Sequence, residues 1–168
     1  MDEPGWRTLQ GTIEQINVSP GGVPKLPVPE AHITLGGVAG DRQRNRDVHG
    51  GVDRAVCLFS LEVIEALQAE GHAIKPGASG ENLTIAGLDW PTLKPGDRLR
   101  IGEHALLEMV SYTSPCKFNA RWFVGGEFSR ISQKLHPGWS RLYARVLAEG
   151  HVRAGDGVIV ESDTEQAI

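Results

Sequence analysis

Cysteine is scarce in this chain of 168 residues: only Cys57 and Cys116 are present. Two thiols cannot build a disulfide framework, and neither lies in a CxxC or Cys/His spacing of the kind that holds zinc. A basic excess is also lacking. Seventeen Lys and Arg against twenty-one Asp and Glu leave a net charge of −4, with a pI near 5.9. That balance argues against nucleic acid as a partner, which calls for a basic face. No apolar run approaches the roughly 20 residues of a membrane-spanning helix. The opening Met1-Asp2-Glu3-Pro4-Gly5-Trp6 is acidic and polar, unlike a secretory signal. These absences predict a cytoplasmic protein with reduced thiols and no membrane association. The hydrophobic fraction of 40% and the charged fraction of 23% suit one globular domain with a substantial core.

The patterning is mostly that of strands. Thr8 to Val18 alternates through Leu9, Gly11 and Ile13, weakening towards Asn17. The Pro- and Gly-dense stretch from Ser19 to Pro29 predicts a loop without regular structure, leading to a short extended piece around His32-Ile33-Thr34-Leu35. Gly36 to Arg54 is polar, rich in glycine and dense in charge, and predicts a long functional loop. It runs into the apolar strand Ala55–Phe59, whose Cys57 reads as a small core hydrophobe. Ser60 to Gly71 is the clearest helix, with Ser60 as N-cap, a Leu61/Ile64/Leu67 stripe and Gly71 at the left-handed end. Further strands are expected at Leu83–Ile85, Arg98–Ile101, Ala105–Val110 and Trp139–Leu147, with a second short helix from Glu127 to Leu135. Lys94-Pro95-Gly96-Asp97 and Arg153-Ala154-Gly155-Asp156 are two echoing turns, each followed by alternating apolar residues. Strands at such short spacing favour a β-barrel or sandwich over a βαβ fold. A single domain over residues 8–161 is expected, with flexible termini at 1–7 and 162–168.

Chemistry concentrates in Ser111-Tyr112-Thr113-Ser114-Pro115-Cys116-Lys117-Phe118-Asn119, where a strand gives way to a loop. Pro115 keeps Ser114 out of the helical region. Lys117 and Arg121 place positive charge near the thiol, which favours thiolate. Local residues alone leave two readings open, a reactive thiol or a buried hydrophobe. The five histidines His32, His72, His104, His136 and His151 form no ligand spacing and read as surface.

Several motifs then fall in order: Gly40-Asp41, His49-Gly50-Gly51-Val52-Asp53-Arg54, Gly80-Glu81-Asn82-Leu83-Thr84, Pro115-Cys116, Gly138-Trp139-Ser140-Arg141-Leu142-Tyr143-Ala144-Arg145-Val146, and Gly155-Asp156. This ordered set resembles the MOSC domain, named for the C-terminal domain of molybdenum-cofactor sulfurases, in its stand-alone bacterial form. The resemblance implies a mainly β, barrel-like fold with a few short helices. It implies binding of the molybdenum cofactor (molybdopterin) and makes Cys116 the reactive group and the ligand to the metal. By the same resemblance His49 is a catalytic candidate, and Gly50, Gly51, Arg54, Glu81, Asn82 and Lys117 are candidates for holding the cofactor. Glu81 stays open between acid–base group and surface carboxylate, and Asn82 between a pterin contact and a turn closure. Reduction of N-hydroxylated compounds with an external electron-transfer protein is one implied activity. A carrier that holds sulfur as a persulfide, fed by a sulfur donor, or passes the cofactor on is the alternative, and a cysteine hydrolase with His49 as base is a weaker third. The pyridoxal-phosphate desulfurase domain of the sulfurases has no counterpart here, so no pyridoxal phosphate is expected. Reductases of the family often carry a basic residue close before the Pro-Cys pair, where this chain has Tyr112-Thr113-Ser114.

Overall fold

The computed structural model of the protein describes residues 6–41 and 51–163. In chain order the strands are β1 (Trp6–Val18), β2 (Leu26–Val28), β3 (Glu30–Thr34), β4 (Gly37–Val38), β5 (Val56–Ser60), β6 (Leu83–Ala86), β7 (Arg98–Ile101), β8 (Ala105–Tyr112), β9 (Leu142–Ala148), β10 (Gly150–Arg153) and β11 (Gly157–Asp163). One α-helix, α1 (Leu61–Ala69), follows β5. The main sheet runs β11-β7-β8-β9-β5-β6-β1, and a further pairing of β11 with β1 closes it into a seven-stranded barrel. Closure leaves the barrel strands without a free edge. A second, three-stranded sheet, β10-β3-β4, packs Ile33, Val38 and Val152 into the same core.

The long strand β1 is the seam. Its first half pairs with β11 from Trp6↔Asp163 to Thr12↔Gly157. Its second half pairs with β6, with a register shift between Ile13 and Gln15. Such a bulge bends a strand and raises its twist, which lets one strand serve two neighbours at a barrel corner. The two echoing turns lie at opposite ends of one strand pair, Asp97 beside Ser162 and Asp156 beside Gly102. Each aspartate closes its turn by accepting from the amide three residues back: Lys94 N to Asp97 Oδ2 at 3.0 Å and Arg153 N to Asp156 Oδ2 at 2.8 Å. The strands that follow them, β7 and β11, pair antiparallel from Val158↔Ile101 to Glu161↔Arg98.

Four local expectations are corrected. The Pro-rich stretch does contain structure: β2 pairs with β1, Pro27 opposite Asn17. It is an outer strand beside β1, where a proline's missing N–H costs no ladder bond. Gly37–Val38 forms β4 by pairing back onto Ile33 and Thr34, so the loop expected from Gly36 is partly a hairpin. The helix expected over Glu127–Leu135 is only a four-residue 3-10 turn, Phe128–Ile131. Ile131 alone of its apolar stripe is fully buried while Leu135 is exposed, and Ser132 turns extended, so nothing drives propagation. Finally, Trp139–Arg141 precede rather than belong to the ninth strand. Pairing at the seam reaches Trp6 and Asp163, two residues past each expected boundary, and buried Ser162 donates to Asp97 Oδ1 at 2.8 Å.

All strand pairs of the barrel are antiparallel except β5–β6, which runs parallel from Leu58↔Leu83 to Ser60↔Ile85. Helix α1 makes that crossover, so one βαβ unit is embedded in an otherwise antiparallel barrel. Ser60 both ends β5 and caps α1, its hydroxyl accepting from Val63 N at 3.1 Å. Gly71 follows at φ +99°, a conformation that suits the end of a helix. Ser60→Ala removes this cap and leaves a buried amide without its acceptor. The expected loss is about 1 kcal/mol, read as a fall of about 2–4 °C in melting temperature for a domain of this size.

Candidate functional site

Strand β9 has two unlike faces. Leu142, Ala144 and Val146 alternate into the hydrophobic core, so Arg141, Tyr143 and Arg145 lie on the outer side of the barrel wall. Cys57 on β5 stands directly opposite Tyr143 in the antiparallel register and shares that outer side. The loop carrying Cys116 leaves β8 on the same side. Thr113 N donates to Arg141 O at 2.9 Å, which fastens the loop to the start of β9.

Cys116 itself is half-buried, in extended conformation at φ −118° and ψ 134°. Its carbonyl accepts from Asn119 N at 2.9 Å and opens the 3-10 turn Lys117–Trp122. The other flank is held by Arg141, whose Nη2 donates to Ser114 O at 3.1 Å. Arg141 Nη1 donates to Ser79 O at 2.8 Å, and the Asn119 side chain donates to the same oxygen at 3.1 Å. Arg141 is 5% exposed and Asn119 1%, and among the described residues Arg141 Nε and Asn119 Oδ1 have no hydrogen-bond partner. Among the described residues no carboxylate forms an ion pair with Arg141. The nearby charges expected from sequence are otherwise engaged. Lys117 Nζ lies 5.8 Å from the centroid of the Phe118 ring, and Arg121 stacks 4.6 Å from that of Trp122 while donating to Val23 O at 2.6 Å.

Beneath the thiol loop is a buried polar network built on residues 77–84. The Glu81 carboxylate is fully enclosed and accepts from Gly77 N at 3.0 Å, Ser79 Oγ at 2.9 Å and Thr84 Oγ1 at 3.0 Å. Burial pushes its pKa up against the pull of these donors. Asn82 exchanges two bonds with the Cys57 backbone, its N donating to Cys57 O at 2.7 Å and its Oδ1 accepting from Cys57 N at 3.0 Å. Asn82 Nδ2 reaches Asp41 Oδ2 at 2.9 Å, and Asp41 pairs with Lys25 Nζ at 2.6 Å. Both members of that pair are 7% exposed. Glu81 is therefore a buried carboxylate rather than a surface one, and Asn82 a tie between β5, β1 and Asp41 rather than a turn closure.

Cys57 is buried, as a core thiol should be, but its sulfur lies 3.8 Å from Thr113 Oγ1. Burial pushes its pKa up, with the charge of Arg141 the largest opposing influence. Burial also pushes the Tyr143 phenol up to about 12, so it stays protonated at neutral pH. The Arg54 guanidinium lies 5.6 Å from the centroid of the Tyr143 ring. Residues Val52–Arg54 form a 3-10 turn against β9, fastened also by Asp53 to Arg145 at 3.8 Å. Gly51 has φ +98°, and a side chain there would meet no atom within 4 Å. The fold thus brings Arg54 and Gly51 to the side of the barrel that carries Cys116. His49 and Gly50 lie outside the described residues.

Sequence reasoning did not single out Ser79, Asn119, Arg141 or Tyr143 as site residues. The signal for two of them was present in the alternation Arg141/Tyr143/Arg145 against Leu142/Ala144/Val146. Ser79 acts through its backbone carbonyl, which no side-chain pattern reveals. His72, expected at the surface, has a side chain only 9% exposed. Its Nδ1 accepts from Val124 N at 3.0 Å, pinning the segment beyond Cys116 to the end of α1.

The fold is a closed barrel that carries a half-buried cysteine on an outer loop, braced by a buried arginine. Residues 45–159 match the MOSC domain, and the chain belongs to that family. It is 32% identical to the YflK protein of Bacillus subtilis over 130 residues, 77% of this chain and 58% of that one. It is 33% identical to the YiiM protein of Escherichia coli over 141 residues, 80% of this chain and 61% of that one. A protein named reductase from Gibberella moniliformis is 30% identical over 127 residues, 73% of this chain but 22% of its own length. The chain therefore spans less than two thirds of each of these relatives. Among solved structures, YiiM from Escherichia coli superposes with a TM-score of 0.69 at 25% identity, covering 92% of this chain and 70% of that one. The YUAD protein of Bacillus subtilis, at 18% identity and a TM-score of 0.71, covers 94% of this chain and 98% of that one and shares the fold.

The buried Glu81 has a consequence for stability. A carboxyl whose native pKa is raised holds its proton more tightly when folded, so its contribution to stability declines as pH rises from the unfolded value of about 4.3. The decline ends once pH passes the raised native value. Glu81→Gln removes this titration. Thermal unfolding across that window should show the wild type losing stability relative to Glu81→Gln as pH rises; the opposite slope would mean that the three donors outweigh burial.

Proposed function

We propose that this protein binds the molybdenum cofactor with Cys116 as thiolate ligand to the metal, and reduces N-hydroxylated compounds with electrons from an external donor. The observation that carries this reading is the half-buried Cys116 held beside a buried arginine that has no carboxylate partner among the described residues. A soft thiolate suits a soft metal centre. The pterin ends in a phosphate, for which cations and close backbone approach are the fitting chemistry.

The residues present fit that group. Cys116 would hold the metal, and Arg54 and the side-chain-free backbone at Gly51 stand on the same side of the barrel for its anionic end. Glu81 and Asn82 are enclosed and would act from below, by fixing the loops, rather than by touching the cofactor. When bound, the cofactor supplies a metal centre that takes up and gives back two electrons. Tyr143, protonated at neutral pH, keeps a neutral hydroxyl on that side. The similarity to a protein named reductase, of which the matched segment is about a fifth, supports a reductive role. Among the described residues no helix is long and apolar enough to cross a membrane.

The test is purification without oxygen from a host that makes the cofactor, beside Cys116→Ala, with molybdenum per protomer and intact mass measured on both. Near-stoichiometric metal in the wild type and its loss in Cys116→Ala is the expected result. Absence of metal with a sulfur-sized mass increment on Cys116 would replace this reading with a persulfide carrier.

A further inference from the structure

The Cys116 turn has two flanks, and both are tied to one atom. On the upstream side Arg141 joins Ser114 O to Ser79 O. On the downstream side Asn119 joins Cys116 O, through its backbone amide, to Ser79 O, through its side chain. Ser79 is itself held by its hydroxyl, which donates to the enclosed Glu81 carboxylate. We propose that Arg141 and Asn119 are positioning residues for Cys116, acting through the shared carbonyl of Ser79, and that Arg141 is the fixed cation of the thiol site. This rests on Cys116 being the reactive thiol of the reading above, whatever it holds.

Ordinary core filling does not account for the arrangement. An arginine 95% removed from solvent normally meets a carboxylate, because a buried charge is costly unless paired. Here its hydrogen bonds go to two neutral carbonyls, and Nε has no acceptor among the described residues. Glu81 does not quench it by direct contact, since its oxygens are taken by Gly77, Ser79 and Thr84. Of the cations closer in sequence to the thiol, Arg121 stacks on Trp122 and donates to Val23 O, and exposed Lys117 has its Nζ 5.8 Å from the Phe118 ring centroid. Two donors on one carbonyl also make the flanks interdependent, because displacing Ser79 O loosens both at once.

Alkylation of Cys116 tests this without any cofactor. Iodoacetamide and iodoacetate attack the same thiolate but differ in charge, and peptide mass mapping separates Cys116 from buried Cys57. Arg141→Gln should slow iodoacetate more than iodoacetamide, lowering the ratio of their rates by about three- to tenfold, as expected for a nearby unit charge. Arg141→Lys should keep the ratio, since it keeps the charge, while changing both rates because an ammonium cannot fork to two carbonyls. Asn119→Ala should change both rates alike and leave the ratio. Its effect should be non-additive with that of Arg141→Gln, as for residues sharing one partner. A folded Arg141→Gln with unchanged rates for both probes overturns the proposal. Should Arg141→Gln fail to fold, Ser79→Ala keeps the carbonyl and loses the tie to Glu81. Shifted rates there support the brace, and unchanged rates in a folded Ser79→Ala overturn it. A wild type without molybdenum whose rate ratio still falls in Arg141→Gln separates failure of the cofactor reading from failure of this one.

Discussion

The carbonyl oxygen of Ser79 accepts from Arg141 and from Asn119, and the local order of the site follows from that double use. A carbonyl has two lone pairs, so one atom satisfies two buried donors without strain. Losing that one acceptor would strand two buried donors, whose desolvation then goes uncompensated. The loop that presents Ser79 must therefore be fixed independently, and it is. Glu81 gathers Gly77, Ser79 and Thr84, while Asn17 donates to Glu81 O and Thr84 Oγ1 at 3.1 Å each. Asn82 carries the same order into β5 and, through Asp41, into the Lys25 pair. Backbone and site share one network, which sits beside the only parallel strand pair of the barrel.

That location has a structural reason. A parallel pair needs a crossover, and here α1 and the turns after it return the chain to Leu83 beside Leu58. The crossover ends in residues 77–82, so the polar loop that holds the thiol turn is the last stretch of the one βαβ unit. On the opposite side of the same wall, Leu58, Leu83, Leu142 and Ala144 fill the barrel at 0–1% exposure. One sheet thus separates an apolar interior, which sets stability, from a polar exterior, which sets the position of Cys116.

The barrel was legible in the sequence because its strands alternate and its turns are punctuated by Gly-Asp and Pro-Gly. The helix from Leu61 was legible because cap, stripe and terminal glycine agree. The segment after Cys116 was not. Phe128, Ile131 and Leu135 have helical spacing, but spacing governs only where one face can be buried, and Leu135 has nowhere to go. At the site, Cys116 stood out from its proline and its loop. The cations next to it in sequence did not point to Arg141, because chain proximity does not say which way a side chain turns. Lys117 and Arg121 turn to Phe118 and Trp122, and the cation that reaches the loop comes from twenty-five residues on (141 − 116). Glu81 and Asn82 stood out by motif, yet burial decides how they act.

Glu81 and Arg141 are opposite charges held one residue apart in the network instead of in contact. A direct pair would satisfy both and would cancel the arginine's field at short range, where Coulomb energy is largest. Interposing Ser79 changes that. The carboxylate takes its hydrogen bonds from a backbone amide and two hydroxyls, and the guanidinium gives its own to neutral carbonyls. Above the raised pKa of Glu81 the interior is balanced over a longer distance, which limits the cost of burying either charge. Close to the thiol loop, no carboxylate among the described residues pairs with the positive end. The two thiols are set apart by the same geometry: burial holds Cys57 protonated despite the pull of Arg141, whereas Cys116 is half-buried on the loop that Arg141 braces.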